Sequence, residues 1–307
     1  VPHDSSRRSA PRRLHAVPRP ERGPRERGVP LGPDDPRRIG RYRLSGRLDD
    51  QTFLGRSPEG AAVAVRRLRG EGRAAGRARN RAAAFQDVTG RHVAHVLHAG
   101  VSEGRAFVVT EFVDGPSLAA SVAAGGPLAG AALRDLALRT AAGLASVHRA
   151  GLVHGGCGPR AVLLGPDGTR LAGLGVPPPG DPAYLAPEQI EDEPVGAPAD
   201  VFAWAATLVF AATGRPPFGT GPGAARRIAA RRPDLGTLDG PLRDLALRCL
   251  DKNPAARPSA AALARALRDD RAPEPRPRPT RIPRYRWRMM VALATVVALG
   301  FVIGILV

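Results

Sequence analysis

The residues able to do chemistry are few. The 307-residue sequence holds 46 Lys and Arg together, yet Lys252 is its sole lysine and the rest are arginines. Imine chemistry therefore has one side chain to use, and a phosphate-binding lysine elsewhere is excluded. Lys252 lies in the turn DKNPAARP and reads as a surface residue near a helix end. Cys157 and Cys249 stand far apart without any CxxC pair, which argues against a disulfide framework and against a cysteine metal knuckle. Gly156 and Gly158 flank Cys157, a setting that suits a reactive thiol in an open loop or an inert small residue. His92, His95 and His98 form HxxHxxH, which at helical spacing presents two rings to a metal and on a strand sends them to opposite sides. Between His154 and Gly175 the one carboxylate is Asp167, in the turn GPDG of an expected hairpin.

The elements that must hold these residues change character midway along residues 39–270. From Tyr42 to about Phe112 the segments YRLSGRL, TFLGRS, AAVAVRRL and AFVVTEFV read as strands parted by glycine turns. One helical stretch, roughly 73–86, interrupts them. From Ser117 onward apolar residues recur at helical spacing, in SLAASVAA, ALRDLALRTAAGLASVHRA, ADVFAWAATLVFAATG, LRDLALRCL and AAALARALRD. A small sheet followed by a helical lobe is an α+β, two-lobed design. With 43% hydrophobic residues but few aromatics, the core must be built from Ala, Val and Leu.

The flanks differ. Residues 1–38 carry ten arginines, eight prolines and five acids with few large apolar residues, so an unfolded arm is expected. Residues 271–288 hold seven arginines, five prolines and one glutamate; residues 289–307 then run nineteen positions without a charge. A helix of that length is about 28 Å long, close to the hydrocarbon thickness of a bilayer. Tyr285, Trp287 and the arginine run make an interfacial belt with a positive-inside signal. The expectation is one C-terminal transmembrane helix, with everything before it cytoplasmic and 271–307 in contact with membrane lipids. It is a tail anchor, or an outer domain follows it. Gly300 and Gly304 form a GxxxG pair suited to a homodimer of helices. Of the net charge of +18, the two arginine-rich flanks supply most, leaving +7 for the body. A specific nucleic-acid binder is not indicated.

Several segments of the body, in order, resemble the bacterial Ser/Thr protein kinase family of the actinobacterial type. IGRYRLSGRL and GRSPEGAAVAVRRLR resemble its first strands, and FVVTEFVDGPSL its hinge. GLVHGGCGPRAVLL stands at the catalytic loop and TRLAGLGV at the metal-binding loop. GDPAYLAPEQ with PADVFAWAATLVFAATGRPPFG resembles the end of the activation segment and the helix after it, and RCLDKNPAARPSA closes the domain. The resemblance implies an N-lobe over 39–114 and a C-lobe over 115–270.

The resemblance also says which reaction parts to seek, and several are replaced. The glycine loop over the phosphates is the short DDQT, with Asp49 and Asp50 where phosphates belong. The strand lysine is Arg66, and its helix partner falls near Asn80–Arg81, so a solvated Arg66 is expected. In the catalytic loop Gly156 replaces the carboxylate that orients the substrate hydroxyl, Gly158 the lysine and Ala161 the metal-binding asparagine. Gly173 replaces the aspartate of the metal loop. Asp181 replaces the threonine that supports the loop, Pro177–Pro179 stiffen the segment, and Tyr184 reads as a packed residue. Architectural positions persist: His154 in packing, Glu188 with Arg257 as an ion pair, and Asp200 as a tether for the catalytic loop. Ala64, Glu111 and Val113 correspond to an adenine slot.

The sequence reading is a membrane-anchored pseudokinase, not an enzyme, that acts through contacts with a cytoplasmic protein partner. It requires no cofactor and binds nucleotide weakly and without Mg²⁺. One alternative is a divergent, active Ser/Thr kinase that recruits Asp49, Asp50 or Asp181. The other is a polybasic anchor for lipid or polyanion.

Overall fold

The computed structural model describes residues 28–175 and 181–269. The expectations for residues 1–27, Pro177–Pro179, the linker 271–288 and the apolar run 289–307 with Gly300 and Gly304 lie outside the described residues. Among the described residues no helix is long and apolar enough to cross a membrane.

Six strands form one antiparallel sheet: β1 (Arg38–Ile39), β2 (Tyr42–Arg47), β3 (Thr52–Arg56), β4 (Ala62–Glu71), β5 (Val96–Ser102) and β6 (Arg105–Glu111). Their order is β1-β2-β3-β4-β6-β5. Period-2 alternation decides which side chains meet. Phe53, Val63 and Val65 join Ile39, Tyr42, Leu44, Phe107 and Val109 in a small cluster on one face. Thr52, Leu54, Ala64 and Arg66 therefore share the other. The register sets Leu54 opposite Ala64 and Thr52 opposite Arg66.

Helix α1 (Arg73–Ala83) crosses this second face, burying Ala75 and Ala82 and leaving its arginines outside. It ends three residues short of the expected limit near 86. The helical part follows with α2 (Leu118–Gly125), whose start is set by Ser117: its Oγ accepts from Ala120 N at 3.2 Å. Helix α3 (Gly130–Arg149) buries Leu133, Leu136, Thr140, Leu144 and Val147 at i+3/i+4 spacing. The hairpin β7 (Val162–Gly165) and β8 (Gly168–Leu171) turns at Pro166-Asp167, as the GPDG motif predicts. The short α4 (Pro187–Ile190) leads into α5 (Ala197–Thr213), which is buried nearly all round and stops at Gly214. Gly214 has φ 74° and donates its N–H to Phe210 O at 2.8 Å, a turn that only glycine makes without strain. Helices α6 (Ala224–Ala230), α7 (Gly240–Cys249) and α8 (Ala260–Asp269) complete the lobe.

One large core runs from Leu68, Val96 and Val108 of the sheet through α3 to Trp204 and Leu263. The sheet and the helices are thus joined by packed side chains rather than by the hinge strand alone. The hinge is also tight. A Cβ on Gly115 would fall 1.9 Å from Leu164 O, so only glycine lets that segment lie on the β7–β8 hairpin.

Candidate active site

The candidate site is the cleft between the second sheet face and the loop 154–161. Its roof is the Leu54–Ala64 pair, and its back edge is the hinge 111–113. Glu111 does not face the cleft as a free acid. Its Oε2 accepts from Arg170 at 3.0 Å and from His95 N at 3.2 Å, and its Oε1 lies 3.2 Å from His95 Nδ1. The side chain is a strut from β6 to β8. The backbone of the hinge is what remains for a base, and Val113 O already accepts from Gly115 N at 2.9 Å.

Arg66 does not stand free in solvent. It meets the Asp49 carboxylate at 3.7 Å, and that carboxylate is fixed by Thr52 Oγ1 at 2.9 Å and Gln51 N at 2.8 Å. The turn beneath is closed by Leu48 N and Asp49 N, both donating to Thr52 O. DDQT is therefore a tight hairpin whose first aspartate lies beside the β4 cation. Arg81 of α1 points to the loop: its guanidinium is 3.8 Å from where a Cβ on Gly155 would stand.

The loop itself is held from below. Asp200, 1% exposed, accepts from His154 N, Gly155 N and His148 Nε2, each at 2.8 Å. His154 is buried and uses both ring nitrogens: Nε2 donates to Ala172 O at 3.0 Å, and Nδ1 accepts from Gly156 N at 3.2 Å. That pattern needs the neutral ring, and burial lowers its pKa in the same sense. Burial raises the Cys157 thiol, which is closed off beneath the loop, so the open-loop reading of this cysteine is replaced by the inert one.

Gly156, Gly158, Ala161 and Gly173 stand at the floor. Ala161 N donates to Gly158 O at 2.9 Å, and Ala172 N returns to Ala161 O at 2.8 Å. Gly158 is open toward Tyr184, whose ring is 3.9 Å from a Cβ built there. Tyr184 packs edge-on against Phe210 with ring centroids 6.3 Å apart. The turn that carries it begins at Asp181, whose Oδ1 accepts from Ala183 N at 3.0 Å. Behind the floor, α1 lies directly on Gly175, because a Cβ there would fall 2.8 Å from Ala82 Cα.

Away from the cleft, Arg257 is fully buried. It donates to both oxygens of Glu188 at 2.6 and 2.9 Å, to Pro198 O at 2.9 Å and to Asp251 O at 2.8 Å. Lys252 corrects the surface reading. Its Nζ is buried 4.0 Å from the Phe218 ring centroid and 5.7 Å from that of Phe202, without a hydrogen-bond partner. Burial and the nearby Arg257 bring its pKa down to about 8. The three histidines of HxxHxxH separate: His98 packs on Tyr42 and Phe107, while His95 joins Glu111. Among the described residues no group of three metal-ligating side chains stands together.

Sequence reasoning missed Thr52 and Leu54 as cleft residues, and it missed the Asp49–Arg66 contact. The alternation of β3 against β4 was the available signal for the first two. The third depends on a turn geometry that the residue types alone do not set.

Comparison with known proteins identifies the class. No protein-family profile matches the chain. It is 38% identical over 274 residues to the probable serine/threonine-protein kinase PkwA of Thermomonospora curvata, covering 81% of this chain and 37% of that protein. It is 35% identical over 257 residues to the serine/threonine-protein kinase AfsK of Streptomyces coelicolor, covering 76% and 32%. The chain thus spans about a third of the length of these relatives. In structure it resembles the Mycobacterium tuberculosis PknI kinase domain with TM-score 0.65 at 21% identity, covering 76% of this chain and 97% of that one. A kinase-like fold is shown, and the chain has homologues among the Ser/Thr protein kinases of Streptomyces and Mycobacterium.

These relatives correct the expectation of a chain that is not an enzyme: at 35–38% identity over most of it they are named protein kinases, which points to an enzyme. The fold family implies magnesium. The residues present do not fit it: Gly156, Ala161 and Gly173 supply no side-chain oxygen for a hard cation.

Proposed function

We propose that the chain is the kinase domain of a divergent Ser/Thr protein kinase that moves the terminal phosphate of ATP onto a protein hydroxyl. The observation that carries the reading is the 38% identity to PkwA over four-fifths of the chain. In this reading Leu54 and Ala64 cover the base and the backbone of Glu111–Val113 meets its edge. Arg66 faces the phosphates, and the loop 154–161, tied down by Asp200, receives the protein substrate. Of the acids recruited in place of Gly156, Asp181 is favoured over Asp49 and Asp50, because its turn packs on the loop at Gly158. There it accepts the proton of the attacking hydroxyl. Residues 289–307 hold the domain at the cytoplasmic face of a membrane, and 271–288 meet its lipids.

The test is transfer of labelled terminal phosphate from ATP to serine or threonine of a protein substrate by the full chain. Asp181→Asn is expected to slow transfer by about 10²-fold or more, as loss of a general base does. Transfer no faster than with heat-denatured protein would refute the function. An unaffected Asp181→Asn variant would refute the assignment of the base. Membrane attachment is tested by fractionation, where deleting 289–307 should move the protein from pellet to supernatant.

A further inference from the structure

We propose that the cleft binds the phosphate chain of a nucleoside triphosphate on arginine, without a divalent ion, and that Asp49 is an internal anion the phosphates must displace. This deepens the ATP-using reading above and rests on it for the nature of the ligand.

The first observation is the pairing of Asp49 with Arg66. Thr52 and Arg66 are directly opposed across β3 and β4, and the Asp49 carboxylate reaches both of them. One oxygen is tied to Thr52 Oγ1 at 2.9 Å, whereas the contact to Arg66 is 3.7 Å, beyond hydrogen-bond length. The carboxylate is placed by its turn, not by the arginine. The Arg66 side chain is 21% exposed, while that of Asp49 is half exposed. A phosphate oxygen on Arg66 would make the short, forked contact that Asp49 does not make.

The second observation is the charge of the walls. Helix α1 has no acid between Arg73 and Ala83, and of its exposed arginines Arg81 is the one at the loop. Arg81 reaches the loop beside Gly155. Acids on the floor would repel a polyphosphate and require a cation between the two. With glycine at 156 and 173 and alanine at 161, that repulsion is absent, and Arg66 and Arg81 supply the positive charge directly.

The experiment measures ATP binding to the full chain by calorimetry, in excess EDTA and in excess Mg²⁺. The affinities in the two buffers should agree within about threefold, and Asp49→Asn should tighten metal-free binding about threefold or more. Arg66→Met should weaken it about tenfold or more, the scale of a hydrogen bond to a charged group. The melting temperature of each variant shows whether it is folded. Binding that appears only with Mg²⁺, or an Asp49→Asn variant that binds no tighter, overturns the inference. The two readings fail separately. Metal-free binding without phosphate transfer removes the kinase reading and leaves this one, whereas strictly Mg²⁺-dependent binding with transfer does the reverse.

Discussion

Glu188→Ala tests how the helical lobe is held together. Arg257 is fully buried, and its two terminal nitrogens meet the two Glu188 oxygens at 2.6 and 2.9 Å. Removing the carboxylate leaves the guanidinium with the carbonyls of Pro198, Asp251 and Lys252, which satisfy donors but not charge. An uncompensated buried cation costs about 3–5 kcal/mol. Domains have about 5–15 kcal/mol in all, so the variant should be close to unfolding. At 2–4 °C per kcal/mol for a domain of this size, the melting temperature should fall by roughly 6–20 °C. Circular dichroism during heating and urea titration reads this directly. The double variant Glu188→Leu/Arg257→Met removes both charges and should recover much of the loss. A Glu188→Ala change below about 1 kcal/mol, or a double variant worse than the single one, would refute the argument.

Gly175→Val should destabilise strongly, by about 2 kcal/mol or more in urea unfolding, because φ is 72° and the new Cβ would lie 2.8 Å from Ala82 Cα. Trp204→Phe removes the donor to Thr140 Oγ1 at 2.9 Å and should cost about 1 kcal/mol by the same measurement. Acid should weaken the fold through His154. Its pKa is lowered in the native state, so its contribution is present above the ordinary imidazole value of about 6.5 and is lost progressively as pH falls below it toward the lower native value. His154→Gln should flatten that part of the stability profile. Lys252 gives a window of the same sign at higher pH: with the native pKa at about 8, the unfolded chain binds the extra proton above it. Stability from this group should rise as pH rises from about 8 to 10.4, and Lys252→Met should remove the slope. Cys157 and Cys249 are both buried with raised pKa, so a thiol reagent should label them slowly in the native protein and fast in urea.

The architecture was legible wherever a pattern of period 2 or 3.6 faces a core. The alternation in TFLGRS and AAVAVRRL placed β3 and β4, and GPDG placed the β7–β8 turn. The family spacing located His154, Glu188, Asp200 and Arg257, whose contacts are made by buried side chains with little choice of partner. Partly buried long side chains were less legible. Arg66 was expected in solvent and meets Asp49; Lys252 was expected at the surface and lies under Phe218. In both cases the residue type allows several directions, and the local turn selects one. Activity was the least legible property, because counting missing side chains does not say whether neighbouring ones serve in their place.

A chain whose sole ε-amine lies beneath two rings stacked 5.8 Å apart presents little to amine-directed chemistry. Acylating and amine-directed cross-linking reagents find no other lysine side chain, and the arginines that supply nearly all its positive charge do not react in their place. Surface modification that would neutralise a lysine-rich relative should therefore leave the electrostatic field of this protein intact.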